Sequence, residues 1–149
     1  MLATLPGSIT DLAFDQTHNR IYATADDKLY QHDLSTAAPV EITARIPADQ
    51  FSQRRIFTVA VDPVDPSIVY AGGARNTYST DTAVVRSTDA GKTWQSLIRS
   101  VRLNPNQAGF DGGREAITMR VHPKTRFLWV GTGCYGLWRF GPAPTNRSK

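Results

Sequence analysis

The chain has 149 residues, 40% apolar and 20% charged, with a formal net charge of +4, a composition that suits one folded domain with a real core and argues against disorder. No run approaches the roughly 18 apolar residues of a membrane span, and the opening MLATLPGSITDLAF lacks the basic start and continuous apolar stretch of a signal peptide. A lone Cys134 rules out an internal disulfide, so a reduced, cytoplasmic location is expected.

The charge is unevenly spread: residues 1–49 hold three Lys/Arg against seven Asp/Glu, and residues 50–149 hold fourteen against six. The arginines are scattered along apolar runs and loops, not gathered on a recognition helix. Neither a nucleic acid nor a membrane is therefore expected as a partner.

In chain order, LATLP (2–6) reads as a short strand, and ITDLAF follows from Ile9 with period-two alternation up to a turn at Asp15. RIYATA (20–25) and KLYQHD (28–33) are two further strands, and VEITARIP (40–47) is a fourth. The pattern then restarts. FTVAV from Phe57 runs to a turn at Asp62-Pro63, followed by SIVYAGG (67–73), AVVRS (83–87) and TWQSLIRSVRL (93–103). A third copy begins at Ile117 with ITMRV, turns at His122-Pro123, and continues as RFLWVGT (126–132) and GLWRF (136–140). Thr10, Thr58 and Thr118 mark equivalent places, 48 and 60 positions apart.

Repeats of about 50 residues, each with four β-branched and aromatic-rich strands, are the signature of propeller blades. The expected fold is all-β: a β-propeller segment of three four-stranded antiparallel blades, about twelve strands in all. Its blades fall at about 7–46, 56–103 and 116–140, with residues 2–6 as an added strand. Residues 1–140 form a single domain in this reading and 141–149 a tail. Three blades do not close a ring, since propellers typically use four to eight. The expected partners therefore include the remaining blades of a larger propeller or a second copy, with 2–6 completing the GLWRF blade.

Residues 87–94, STDAGKTW, match the Asp-box pattern S-x-D-x-G-x-T-W at Ser87, Asp89, Gly91, Thr93 and Trp94. With VDPVDPSIVYAGG upstream, the stretch resembles the Asp-box (BNR) repeat propellers. These include sialidases, the sortilin-type sorting receptors, xyloglucan-degrading hydrolases and the photosystem II assembly factors. The resemblance implies a structural hairpin: Asp89 accepting backbone N–H groups, Gly91 supplying a positive φ, and Trp94 buried against the blade. It sits after a third strand, on the end of the sheets opposite the loops where such propellers bind ligands.

Those ligand-side loops are 47–56, 74–81 and 101–116, with corners at Ala25-Asp26-Asp27 and Gly133-Cys134-Tyr135. Arg54, Arg55, Arg75 and Arg114 bias them toward acidic groups, and Tyr78 and Tyr135 could stack on a sugar ring. The first functional reading is a non-catalytic module that binds a protein or glycan through this face. The alternative is a glycoside hydrolase, or a fragment of one, with Asp111 or Glu115 as acid/base; such enzymes set two carboxyls about 5–5.5 or 6.5–9.5 Å apart. Arg45-Ile46-Pro47 spells a sialidase element, but a three-residue match carries no reading by itself. His18, His32 and His122 lack metal-ligand spacing, so no metal and no cofactor is expected. His122 stands where Asp15 and Asp62 stand in their copies and reads as a turn residue, while Trp129, Trp138 and Phe140 read as blade core.

Overall fold

The computed structural model describes residues 4–5, 7–36, 38–47, 55–74, 83–97, 115–133 and 136–142. Eleven strands fall within them, in three antiparallel sheets whose neighbours in sequence are neighbours in space. The first sheet comprises β1 (Ile9–Asp15), β2 (Arg20–Ala25), β3 (Lys28–Asp33) and β4 (Val40–Glu41). The second comprises β5 (Arg55–Val61), β6 (Val69–Ala74), β7 (Ala83–Ser87) and β8 (Gln95–Ser96). The third comprises β9 (Ala116–Val121), β10 (Leu128–Thr132) and β11 (Leu137–Phe140). The innermost strands β1, β5 and β9 lie side by side, so the sheets fan out from a common line as blades do.

Period-two alternation decides which side chains fill the two spaces between blades. Val59, Val69, Ala71 and Val85 of the second sheet meet Tyr22, Leu29 and Ile42 of the first. Their sequence neighbours Ala60, Tyr70 and Val84 meet Met119, Leu128 and Val130 of the third. This explains why β6 is buried at every position: a blade flanked on both sides has no solvent face. The outer blades do. Leu12 and Phe14 are 44% and 61% exposed, yet their equivalents, counted back from the turn residue, are Val59 and Val61, Met119 and Val121. Each of those packs toward the blade before it.

The structure corrects two expectations, the length of the first blade's fourth strand and the place of Trp129. The fourth strand of the first blade stops after Glu41, and Thr43–Arg45 form a 3-10 turn. Here the Leu29 N–H donates to the hydroxyl of Thr43 at 2.9 Å, while Ile42 N–H reaches the Leu29 carbonyl at 2.8 Å. The side chain takes a ladder bond that a longer strand would have made, and the turn sends Ile42 and Ile46 into the core. The third sheet has three strands among the described residues, and Thr4 and Leu5 are not in a strand. Trp129 is not core but half-buried, on one face with Arg120 and Arg139. The Arg139 guanidinium lies 5.9 Å from its ring and 4.7 Å from that of Phe127. Trp138 and Phe140 do pack against the second core.

Turn chemistry repeats with the blades. Asp62 Oδ1 accepts the N–H groups of Val64 (2.9 Å) and Asp65 (3.2 Å). Asp15 Oδ1 accepts that of His18 at 3.0 Å. In the third blade His122 Nδ1 accepts those of Lys124 (3.2 Å) and Thr125 (3.1 Å), so His122 substitutes for an aspartate as a turn acceptor. No helix among the described residues is long and apolar enough to cross a membrane.

Candidate functional site

The sheets have two unlike ends. At one, strand β1 ends and β2 begins, and β7 hands over to β8 through residues 87–94. That connection is held by its own side chains. Ser87 Oγ donates to Asp89 Oδ1 (2.7 Å) and accepts the N–H groups of Asp89 (3.2 Å) and Gly91 (2.8 Å). Asp89 Oδ1 accepts the N–H groups of Lys92 (3.1 Å) and Thr93 (2.8 Å), and Oδ2 accepts the Thr93 hydroxyl at 2.6 Å. Burial pushes the Asp89 carboxyl up, but the Thr93 hydroxyl and N–H, the Ser87 hydroxyl and the Lys92 N–H outweigh it and hold the pKa at about 2. Gly91 has φ +83, and a Cβ there would stand 3.2 Å from Ile42 Cδ1; both observations favour glycine. Trp94 is 5% exposed within the first core. The Ser87, Asp89 and Thr93 side chains are thus engaged by the hairpin's own hydrogen bonds.

The other end carries the candidate site. Asp26 and Asp27 form the two-residue corner between β2 and β3, with φ of 45 and 65, as a tight hairpin requires and as aspartate tolerates. Asp26 Oδ1 accepts the Ser8 N–H at 2.9 Å. The Asp27 carbonyl accepts the Ile56 N–H at 3.0 Å, and its carboxylate stands 3.5 Å from Arg55 Nε. Arg55 also lies over the Phe57 ring at 5.1 Å, so its guanidinium is held between an anion and an aromatic face. Glu115 precedes β9, its carbonyl accepting the Gly133 N–H at 3.2 Å. This brings the described Arg55 and Glu115 to the same end of the sheets, on different blades. The candidates Arg54, Arg75, Tyr78, Asp111, Arg114 and Tyr135 lie outside the described residues. Among the described residues no group of three or more His, Cys, Asp or Glu could hold a metal.

A polar cluster that the sequence analysis did not single out lies along the innermost strands. Asp11 Oδ2 accepts the Thr58 hydroxyl at 2.6 Å and the Val59 N–H at 3.2 Å, with Arg120 Nη1 at 3.4 Å. Thr24 Oγ1 donates to the Phe57 carbonyl at 3.1 Å. These bonds join first and second blades, and Arg120 brings in the third. The clue in the sequence was register: counted from the turn, Asp11 and not Thr10 stands where Thr58 and Thr118 stand, because β1 has a register shift between Ile9 and Asp11, so a charge occupies a hydroxyl position.

No family model matches the chain. Over 142 residues it is 33% identical to xyloglucanase Xgh74A of Acetivibrio thermocellus, covering 89% of this chain and 16% of that protein. It is 29% identical over 150 residues to a xyloglucanase of a Paenibacillus species, covering 96% and 14%. The chain thus spans about one-sixth of the curated relatives it matches. Among solved structures, the GH74 xyloglucanase of Xanthomonas campestris aligns with a TM-score of 0.66 at 20% identity, over 88% of this chain and 20% of that one. The PQQ-bound aldose sugar dehydrogenase of Streptomyces coelicolor aligns at 0.60 and 16% identity, over 98% and 49%. YCF48 bound to D1 peptide aligns at 0.57 and 12%, over 98% and 41%. The fold is a β-propeller segment. The sequence relatives are glycoside hydrolases, and the solved structures, all 20% identical or less, speak for the fold alone.

Proposed function

We propose that these three blades are part of a xyloglucan-binding propeller, and that the end carrying Asp26, Asp27, Arg55 and Glu115 is the side that meets the polysaccharide. The observation that carries this reading is the similarity to two named xyloglucanases across nearly the whole chain, on blades that bring these corners to one end. On this reading the 87–94 hairpin is an Asp-box and plays no part in binding. Leu12 and Phe14 mark the face where a further blade belongs, because their equivalents are buried against a preceding one. Arg54, Arg75, Arg114, Tyr78 and Tyr135 are the further binding residues proposed for the loops.

Hydrolysis is the second reading, favoured by the names of those relatives, with Asp111 or Glu115 as acid/base. Gel electrophoresis through immobilised xyloglucan, paired with a reducing-sugar assay, separates the two. Retardation without sugar release supports a binding module. Release that disappears in Glu115→Gln or Asp111→Asn supports the hydrolase. Migration unchanged by xyloglucan, with no release, refutes both.

A further inference from the structure

A groove of about 400 Å³ opens at the hairpin end, between the outer strands of the first blade and residues 90–92 of the second. Among the described residues three cations line it, Arg20, Arg45 and Lys92, against a single carboxylate, Asp33. Asp33 is already engaged: its Oδ1 accepts the Ser35 N–H at 2.9 Å and the Ser35 hydroxyl at 2.6 Å. Asp33 is also the cross-strand neighbour of Arg20, but no ion pair joins them among the described residues, and the cations' own bonds are long. Arg20 Nε is buried with no hydrogen-bond partner among the described residues, and its Nη1 makes one long bond, 3.4 Å, to the Tyr22 hydroxyl. Among the described residues Arg45 Nη1 reaches the Gln31 side-chain oxygen at 3.5 Å and the Gly91 carbonyl at 3.4 Å. Lys92 shows no ion pair among the described residues.

Two guanidinium forks with unspent donors and one ammonium around a concave space form an arrangement suited to an oxyanion. A buried donor without an acceptor is costly, so an oxygen delivered to Arg20 would relieve a deficit that the protein alone leaves. The lining also includes the small apolar residues Ala38, Val40 and Ala90, which can lie against the C–H face of a sugar ring. A volume near the lower bound of ordinary ligand sites fits a compact molecule better than a chain.

We propose that this groove binds a small acidic sugar, a uronate or a sugar phosphate, whose oxyanion is held by Arg20 and Arg45 with Lys92 at the rim. The site lies at the end of the sheets opposite the proposed xyloglucan side and does not depend on that reading.

The test is titration calorimetry of the full chain at low ionic strength with D-glucuronate, glucose 6-phosphate, inorganic phosphate and neutral D-glucose. Saturable binding of at least one acidic sugar is expected, with glucose at least about tenfold weaker. Which acidic sugar binds decides between carboxylate and phosphate. Arg45→Gln and Lys92→Gln alter exposed side chains, so both should melt like the parent while weakening that sugar by about tenfold. Asp33→Asn should strengthen it, and added salt should weaken it. Equal affinity for glucose, insensitivity to both Arg45→Gln and Lys92→Gln, or binding of inorganic phosphate with neither acidic sugar would overturn the proposal. The last result would mark an adventitious ion only.

Discussion

The ion pair between Asp62 and Arg126 joins the second and third blades, and its contribution can be isolated. Asp62 is fully buried, while the Arg126 side chain is 14% exposed, with Nε and Nη2 at 2.9 and 2.8 Å from the same carboxylate oxygen, Oδ2. The other oxygen, Oδ1, accepts the two turn N–H groups. Asp62→Asn therefore keeps the turn acceptor and removes the charge. Breaking a buried pair from one side costs about 3–5 kcal/mol because the remaining charge is stranded. Arg126 retains some solvent, which places the loss near the lower figure, about 3 kcal/mol, or roughly 6–12 °C in Tm for a chain of this size. Arg126→Met should cost a similar amount, by leaving the carboxylate without its counter-ion. The double variant strands no charge, so it should be more stable than the sum of the single losses implies, by about 2 kcal/mol. Urea unfolding followed by tryptophan fluorescence gives all four stabilities. If Asp62→Asn lies within about 0.5 kcal/mol of the parent, or the two losses simply add, the pair does not hold the blades together.

Other residues give equally direct tests. Trp94→Ala should cost about 3–5 kcal/mol while leaving binding per folded molecule unchanged, and a parental melting curve would contradict its place in the core. A Cβ at Gly73 would stand 1.9 Å from the Arg55 carbonyl oxygen. Backbone cannot move aside cheaply there, so Gly73→Ala should lose about 3 kcal/mol or prevent folding; a neutral result would show that β5 and β6 are not so close. Asp89 has its pKa lowered from 3.8 to about 2, so its stabilising effect is complete above pH 3.8 and fades as pH falls toward 2. Asp89→Asn should accordingly flatten the stability–pH profile within that window, and an unchanged profile would show that the hairpin does not depend on the ionised carboxylate.

How much of this was legible follows from what alternation reports. Period two tells which residues share a face, and it located β1 to β3, β5 to β7 and β9 to β11 well. The turn role of His122 was also readable, because its place in the repeat is that of Asp15 and Asp62. Alternation says nothing of side chains that take backbone partners, which is why the stop after Glu41, set by the Thr43 hydroxyl, was missed. Nor does it tell which faces meet another sheet: Trp129 follows the same pattern as the buried Tyr70, yet no blade covers it among the described residues. On the loop side, Arg55 was chosen for its charge, but its position between Asp27 and Phe57 depends on residues from two blades. Asp11 escaped notice because its partners Thr58 and Arg120 are 47 and 109 positions away.

The ties between blades bear on how any ligand is accommodated. At the loop end, Ile56 N–H bonds the Asp27 carbonyl and Thr24 bonds that of Phe57, with Asp11 close by on Thr58. At the hairpin end, the Tyr22 hydroxyl donates to the Ala90 carbonyl at 3.0 Å, and Asp62 holds Arg126. The first and second blades are therefore pinned at both ends, with a close-packed core between. Such an interface has few intermediate positions to slide through. The groove around Arg20 and Arg45 straddles this interface, so its backbone frame is set before a ligand arrives, and the ordering that remains is that of the exposed Arg45 and Lys92 side chains. At the loop end the same ties fix the Asp27 corner against Arg55 and Ile56, so any ligand there meets corners that are set before it binds.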